Sequence, residues 1–549
     1  MERRAPTTGS GAVRKQSGQR PRVNQVHMQR RRITARVTYA AVAVALAATI
    51  LLRLPFLHNG MYPDEGGMLV VAREWHTGGP YLYGDYFLAR PPLLLLFFRL
   101  GDALGGIVAV RLLGLVLVTL AVAAAAWAGS SLAGRRGAIT AAVVSAALLT
   151  DPILGTVEID AETVGLPLTL AATACLLAAY RRSRGSSARA WLLVAGGALA
   201  VGALLTKQNL ADALAFGLVL VIGSALTEGR PREALPDLGC LGLGIAVPVL
   251  ATLAWAAFAS AGIHELVYEL YGFRAQSGQT LMAQPTIEQG ERLHILIDAV
   301  IRSGIVPVVL VSLWMLRLRF WRDPVVLALL AMMVTAVVGV AAGGQYWIHY
   351  LIGLVPVTAL VAARAVGRVN RPFLLAAMVV VTVATTAHNV SDAWHARHPT
   401  DESWVGGTTV WLDATKRPGD SMVVLYGQAA LYETTRIQPA YPYMWTLPMR
   451  IRDPQLAHLR RLLSGPDAPT FVLVALDLDS WSIDPHGRMQ RTIDRHYRKA
   501  ATVCGTPVYL RNGVDRPSVP PPTSCDSELA VAPLPVAEPS RPFRGTGGK

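Results

Sequence analysis

Residues 30–57 read RRRITARVTYAAVAVALAATILLRLPFL, a basic cluster followed directly by a long apolar run. About 20 apolar residues in a helix are enough to cross the hydrocarbon core of a bilayer. The run is longer than the core of a signal peptide, and no small-residue cleavage site leads from it into a polar segment. Residues 37–57 are therefore predicted to form a transmembrane helix.

The composition of the 549-residue chain points to the same class of protein. Apolar residues make up 52% of it and charged residues 16%, whereas a soluble domain carries about 25% charged residues. The 51 Lys and Arg residues exceed the 36 Asp and Glu residues, and the net charge is +15. These values exclude a disordered chain and argue against a cytosolic enzyme. They indicate a membrane protein whose positive charge is concentrated at particular places.

Further apolar segments follow the first, and the sequence predicts a mainly α-helical polytopic protein with about 11 transmembrane helices. Because this number is odd, the two termini are expected on opposite sides of the membrane. The additional segments are residues 108–133, 137–157, 161–180, 190–206, 209–226, 237–260, 297–316, 324–342, 347–366 and 372–388.

The distribution of basic residues orients these helices. Residues 1–36 carry ten basic residues and one acid, and we interpret them as a disordered cytoplasmic tail rather than a nucleic-acid-binding segment. Arginines cluster in alternate loops, whereas the turns at 151–160 and 343–346 hold no Lys or Arg. This pattern follows the positive-inside rule, so we expect a cytoplasmic N-terminus, an extracytoplasmic C-terminus and no nucleic-acid partner. The loop arginines are Arg135, Arg136, Arg181, Arg182, Arg184, Arg189, Arg230, Arg232, Arg317, Arg319, Arg322, Arg364, Arg368 and Arg371.

The predicted topology leaves most of the polar sequence outside the membrane. Residues 37–390 form the transmembrane domain, with large outer loops at 58–92 and 261–296. Residues 395–515 are predicted to form an extracytoplasmic α/β domain, and the proline-rich residues 516–549 are predicted to be disordered. The pattern of the α/β domain comprises a helix-like stretch at 404–416, apolar β-like runs at 421–426 and 469–476, and a Val/Tyr-rich end at 502–511.

Two further features of the outer domain are a pair of cysteines and a short acidic motif. Cys504 and Cys525 face the oxidising side, where they either pair or remain free. Asp477 and Asp479 form a D-x-D motif, which binds metal in enzymes that use nucleotide sugars. It follows a β-like run on the side of the membrane where nucleotide sugars are not available, so we assign no metal site to it.

Loop 58–92 contains the most informative polar residues of the chain. It reads HNGMYPDEGGMLVVAREWHTGGPYLYGDYFLARPP, and the adjacent carboxylates Asp64 and Glu65 lie just beyond the outer end of the first helix. A carboxylate in such a place is a candidate general base. Residues 66–76 are predicted to form an amphipathic helix on the membrane surface. The alternative is a solvated loop with interfacial aromatic anchors.

The segment PDEGG at 63–67, followed by RPPLLLLFF at 90–98, resembles the GT-C membrane glycosyltransferases. The similar families are the dolichyl-phosphate-mannose protein mannosyltransferases, the lipid A aminoarabinose transferases and related bacterial enzymes. Three further segments agree with these families in order along the chain. They are TDPILGTVEIDAETVGLPL at 150–168, LLTKQNL at 204–210 and GGQYWIHYLIGLVPVTAL at 343–360.

The resemblance implies an inverting glycosyltransferase. It would move a monosaccharide from a polyprenyl-phosphate donor to a glycan, lipid or protein acceptor on the outer face of the membrane. Asp64 is implied as the catalytic base and Glu65 as its neighbour in the catalytic pair, while Arg90, Lys207 and His349 are implied to bind the donor phosphate. Neither a cofactor nor a metal is indicated. The residues implied in substrate binding are Glu162, Asp160, Tyr350, Tyr83, Tyr268 and Arg274.

The three phosphate-binding assignments and loop 261–296 have alternatives. Arg90 and Lys207 could be cations that reach the membrane interface, and His349 an ordinary interfacial histidine. Loop 261–296 is implied to be a mobile lid, and a solvated amphipathic helix is the alternative.

The whole protein also has alternative functions. It could be a transporter or flippase for lipid-linked sugars, or a non-catalytic protein of envelope assembly. The predicted helices contain few ionisable residues near their middle, which favours chemistry at the outer surface over transport. The richness in Ala, Gly, Val and Arg is typical of GC-rich bacterial genomes, so we expect a bacterial plasma membrane protein.

Overall fold

The computed structural model describes residues 20–259, 261–283, 287–317, 323–368, 373–395, 403–478, 480, 483–484, 486–523 and 525. Most of the helices lie in the first 395 residues. They are α1 (Arg20–Arg53), α2 (Pro63–Arg73), α3 (Pro92–Gly105), α4 (Ile107–Thr150), α5 (Ala161–Tyr180), α6 (Ser187–Leu204), α7 (Asp212–Thr227), α8 (Ala234–Phe258), α9 (Gly262–Val267), α10 (Phe273–Ala283), α11 (Ile287–Arg302), α12 (Ile305–Leu316), α13 (Pro324–Ala341), α14 (Val355–Val366) and α15 (Phe373–His395).

Eight helices within the described ranges are long and apolar enough to cross a membrane. The number becomes nine if α11 and α12, which meet at a bend of 56°, are counted as one span. The protein is thus a multi-pass membrane protein, but the expected count of about 11 spans is not confirmed. Helix α7 is also apolar, but at 16 residues it is shorter than each of the eight candidate spans.

The 44-residue helix α4 consists of two limbs. Ala133 and Gly134 have non-helical backbone angles, and Gly134 has a φ of 59° that favours glycine. A Cβ atom on Gly129 would lie 2.3 Å from the carbonyl oxygen of Gly137. The limbs therefore fold back on each other, which agrees with the two separate segments at 108–133 and 137–157 that the sequence predicts.

Two ion-pair clusters lie at the arginine-rich ends of the helices. Arg189 is buried and pairs with Asp237 at 2.6 Å. Asp323 pairs with both Arg364 and Arg368. Some of the arginines that indicate topology in the sequence therefore also join neighbouring helices.

The segment after the first transmembrane helix differs from the prediction. The sequence predicts an amphipathic surface helix at 66–76, but α2 begins at Pro63, ends at Arg73 and is buried along most of its length. A Cβ atom on Gly66 would lie 2.6 Å from the backbone of Ala430, which belongs to the C-terminal domain. The helix is buried because that domain packs against it, and a single-segment pattern carries no sign of this contact.

The C-terminal domain contains a five-stranded sheet of order β2-β1-β3-β5-β4. Strands β1 and β3 run parallel, and β5 is antiparallel to β3 and β4. The strands are β1 (Ser421–Leu425), β2 (Gln438–Pro439), β3 (Phe471–Val474), β4 (Tyr497–Val503) and β5 (Thr506–Arg511). The helices are α16 (Ser403–Thr415), α17 (Ala430–Thr435), α18 (Thr446–Arg452), α19 (Ala457–Ser464) and α20 (Arg488–His496). These elements include the helix and the β-like runs that the sequence predicts.

Parts of both segments that were predicted to be disordered tails are folded. Helix α1 starts at Arg20, inside the predicted tail 1–36. After β5 the chain packs on α16, where the indole of Trp411 donates a hydrogen bond of 3.0 Å to the carbonyl of Val519. Cys504 and Cys525 form a disulfide there. Residues 1–19, 524 and 526–549 of the tails, like Asp479 of the D-x-D motif, lie outside the described residues.

Candidate active site

A cavity of about 720 Å³ lies between the membrane helices and the C-terminal domain. Binding sites for small molecules typically have volumes of about 300–1,000 Å³. Five of the residues that the sequence singles out line this cavity, namely Asp64, Arg90, Arg274, His349 and Tyr350. The opposite wall is formed by the turns that follow β1 and β3 and by α18.

Asp64 lies in the first turn of α2, which begins with Pro63 as its first residue. Proline suits this position because it has no N–H group and its φ is already helical. The Oδ1 atom of Asp64 accepts a hydrogen bond of 2.8 Å from the indole nitrogen of Trp445. Its Oδ2 atom lies 3.5 Å from Nη2 of Arg90. The carboxylate is thus held on one side and faces a cation on the other.

Two guanidinium groups stand close together in the same wall. Nη2 of Arg274 donates a hydrogen bond of 3.0 Å to the carbonyl of Ala89, next to Arg90. Burial, and after it the neighbouring charge of Arg90, lowers the pKa of Arg274 to about 10. Two cations that lie close together in a buried wall repel each other. An anion that binds between them removes this repulsion, so such a wall suits an anionic ligand.

Glu65 does not line the cavity. Its side chain is fully buried, and Oε2 lies 2.7 Å from Nη2 of Arg111 on α4. Its Oε1 accepts hydrogen bonds from Nε of Arg111 and from the backbone N–H of Ile159, at 3.2 and 3.0 Å. Both oxygens are therefore engaged in joining α2 to α4 and to the turn before α5. The two adjacent carboxylates therefore have different surroundings. Asp64 lines the cavity, whereas Glu65 is buried between helices.

Glu162 and Lys207 form a buried ion pair behind the cavity wall. The ammonium group of Lys207 also lies 3.9 Å from the ring centroid of Tyr350, and Tyr350 itself faces the cavity. Burial lowers the pKa of Lys207, and the charge of Glu162 opposes this effect. Neither Glu162 nor Lys207 lines the cavity, and the assignment of Lys207 to the donor phosphate stays a prediction.

Glu158, Asp160 and His349 form a cluster of two carboxylates and one imidazole. Nδ1 of His349 lies 2.8 Å from Glu158 Oε1 and 3.9 Å from Asp160 Oδ2. Burial raises the pKa of Asp160 to about 7 and also raises the pKa of Glu158. One ligand atom from each residue lies within 4.8 Å of the others, and one nitrogen with two carboxylate oxygens is a donor set suited to a divalent cation.

Tyr83 and Tyr268 support the wall without facing the cavity. The hydroxyl of Tyr83 donates a hydrogen bond of 2.6 Å to the carbonyl of Arg90. Tyr268 begins a π-helical turn between α9 and α10, and its ring lies 4.9 Å from the guanidinium of Arg452. Glu269 in the same turn accepts a hydrogen bond of 3.1 Å from the backbone N–H of Leu82. Loop 261–296 is thereby attached to loop 58–92 and holds Arg274 in place.

The sequence did not indicate several residues that the structure brings to this region. Glu158 precedes Asp160 by two residues, so its E-x-D spacing was the available signal. Arg111 lies in an apolar segment, where a lone arginine predicts a buried carboxylate partner without saying which one. Trp445 is 381 residues from Asp64, and its neighbours in sequence give no sign of the contact.

Comparison with solved structures places this arrangement in a known fold. The chain superposes on ArnT from Cupriavidus metallidurans bound to undecaprenyl phosphate with a TM-score of 0.56 and 17% identity, covering 86% of this chain and 97% of ArnT. The apo structure of the same protein gives a TM-score of 0.58 at 15% identity, with the same coverage. The chain has the GT-C fold.

A second protein agrees with this assignment. The oligosaccharyltransferase of Archaeoglobus fulgidus, tethered to an acceptor peptide, matches with a TM-score of 0.50 and 12% identity, covering 84% of this chain and 72% of that chain. No protein-family model and no curated relative matches the sequence. The likeness therefore concerns the fold alone.

Proposed function

We propose that the protein is an inverting membrane glycosyltransferase that takes a monosaccharide from a polyprenyl-phosphate donor. The observation that carries this proposal is the position of Asp64, whose Oδ2 lies 3.5 Å from Arg90 in a cavity that Arg274 and His349 also line. A carboxylate beside a group of cations suits a reaction in which a proton is removed while a phosphate departs.

In the proposed reaction, an acceptor hydroxyl attacks the anomeric carbon of the donor sugar. Asp64 takes the hydroxyl proton as the new C–O bond forms and the bond to the phosphate oxygen breaks. The electron pair leaves with the polyprenyl phosphate, whose negative charge Arg90, Arg274 and His349 would stabilise. A single displacement of this kind inverts the anomeric configuration. Tyr350 would contact the donor, with the Glu162–Lys207 pair fixing its ring.

The membrane arrangement forms part of the proposal. We infer a catalytic domain at 37–390 and an extracytoplasmic domain at 395–515, with a cytoplasmic N-terminus and the cavity on the outer face. The arginine-rich loops support this orientation through the positive-inside rule. The GT-C fold supports a lipid-linked donor, since ArnT with this fold was crystallised with undecaprenyl phosphate. The acceptor would be a glycan, lipid or protein of the cell envelope.

A transfer assay with purified protein tests the proposal. The protein is incubated with radiolabelled polyprenyl-phosphate sugars and candidate acceptors, and the anomeric configuration of the product is determined by NMR spectroscopy. We expect transfer with inversion and no net movement of lipid across the bilayer. Lipid translocation without transfer would instead indicate a flippase, and retention of configuration would contradict the single displacement.

A further inference from the structure

The wall of the cavity that lies opposite the membrane helices belongs to the C-terminal domain. We propose that this wall is a subsite for a glycan acceptor and that Gln428 binds a sugar hydroxyl there. This inference rests on the proposed function, because it assigns the acceptor of the same cavity. The residues that carry it are Tyr426, Gly427, Gln428, Trp445, Thr446 and Leu476.

The subsite lies at the carboxyl ends of two parallel strands. Strand β1 ends at Leu425 and β3 ends at Val474, and the residues that follow both strands line the cavity. Open sheets with parallel strands generally bind ligands at this edge. The backbone after β1 is unusual, since Tyr426 and Gly427 have φ angles of 66° and 109°. A non-glycine residue in this region is strained, and such strain concentrates at binding sites.

Gln428 supplies a polar atom that lacks a partner. Its Oε1 is shielded from solvent and accepts no hydrogen bond from the residues that the structure describes. The neighbouring hydroxyl of Thr446 is already engaged, because it donates to the carbonyl of Tyr426 at 2.9 Å. A buried carbonyl oxygen without a partner is unfavourable unless a ligand donates a hydrogen bond to it. A sugar hydroxyl is such a donor.

The surroundings of Gln428 suit a sugar ring and connect it to the proposed base. The ring of Trp445 and the side chain of Leu476 provide apolar surface for the C–H faces of a sugar. The indole nitrogen of Trp445 is occupied by its hydrogen bond of 2.8 Å to Asp64. A sugar on this wall would therefore lie beside the carboxylate that accepts its proton.

Binding of free oligosaccharides to the full-length purified protein tests the subsite directly. We would titrate the protein with a panel of hexose and pentose oligosaccharides by isothermal titration calorimetry. Gln428→Leu removes the hydrogen-bonding oxygen at similar volume, and we expect it to raise the Kd by about tenfold. Gln428→Glu keeps an oxygen in the same place and is expected to remain within about threefold of the wild type. Gln490→Leu, on α20 outside the cavity lining, is the matched control.

The outcomes separate this inference from the proposed function. If no oligosaccharide in the panel binds the wild-type protein, or if Gln428→Leu binds as tightly as Gln490→Leu, the glycan subsite is contradicted even when transfer to another acceptor occurs. If oligosaccharides bind and depend on Gln428 while no polyprenyl-phosphate sugar is turned over, the subsite is supported and the proposed function fails. In an active preparation, Gln428→Leu should raise the KM for the acceptor and leave the KM for the donor unchanged.

Discussion

The indole nitrogen of Trp445, the residue that precedes α18 in the C-terminal domain, donates a hydrogen bond of 2.8 Å to Oδ1 of Asp64 in the first turn of α2. A Cβ atom on Gly67 would lie 2.4 Å from the indole ring, so glycine at this position permits the contact. The domain outside the helical bundle thus contributes directly to the environment of the proposed base.

We expect Trp445→Phe to lower kcat by about tenfold and to leave the KM for the donor unchanged, because the variant loses one hydrogen bond to the carboxylate but keeps an aromatic ring. Steady-state kinetics with varied donor concentration measure both values. Trp411→Phe is the matched control, since its indole also makes a hydrogen bond of 3.0 Å but lies away from the cavity. Equal kcat values for the two variants would mean that Trp445 does not position Asp64.

Removal of the Arg274 charge should weaken the binding of the lipid phosphate. We expect Arg274→Gln to raise the inhibition constant for polyprenyl phosphate by at least about tenfold, as loss of a charge-assisted hydrogen bond predicts. Arg99→Gln is the control, because its guanidinium bonds to the carbonyl of Trp75 and does not line the cavity. An unchanged inhibition constant in Arg274→Gln would remove this residue from the proposed phosphate site.

Glu65→Gln should act on stability rather than on the chemical step. The substitution leaves the charge of Arg111 buried without its carboxylate partner, which costs about 3 kcal/mol in typical buried pairs. Thermal unfolding in detergent should show a lower Tm, and the protein that remains folded should keep its specific activity. Asp298→Asn removes an exposed pair with Arg302 and should leave the Tm unchanged. A stable but inactive Glu65→Gln protein would restore the catalytic role that the sequence suggests.

The raised pKa of Asp160 predicts a dependence of stability on pH. Burial is the main cause, and it lifts the pKa from 3.8 to about 7 in the folded chain. The folded state then binds more protons than the unfolded state between about pH 4 and pH 7, so this group destabilises the protein as the pH rises through that window.

Asp160→Asn keeps a side-chain oxygen at the helix N-cap and removes the titration. Its Tm should therefore fall less than that of the wild type between pH 5 and pH 8. Asp484→Asn provides a comparison, because Asp484 is also buried and accepts hydrogen bonds from the backbone at the start of α20. Parallel Tm curves for wild type and Asp160→Asn would contradict the raised pKa.

Patterns within single segments predicted much of the fold. Apolar runs located the helices, and the β-like runs of the outer domain correspond to strands, because hydrophobic periodicity reflects burial within one element. The same patterns did not predict that α2 is buried. Its surroundings include Ala430 and Trp445, which come from a distant part of the sequence.

The candidate site shows the same limit. Motif resemblance pointed to Asp64, Arg90 and His349, all of which line the cavity. It treated Glu65 as a partner of Asp64, although consecutive residues on a helix point in different directions. The buried carboxylate instead meets Arg111 across helices. Partners of this kind depend on packing between elements, which spacing in one sequence does not reveal.

In the proposed mechanism Asp64 removes the proton from the acceptor, and the Asp64→Asn variant lacks that base. Asparagine keeps the oxygen that Trp445 binds but cannot act as the base. In a reconstituted assay with a radiolabelled polyprenyl-phosphate sugar, we expect transfer to fall by about a thousandfold, with unchanged Tm and polyprenyl phosphate binding. Asp85→Asn, a partly exposed carboxylate of the same loop that lies outside the cavity lining, should keep full activity. Transfer by Asp64→Asn within a few-fold of the wild-type rate would contradict the account.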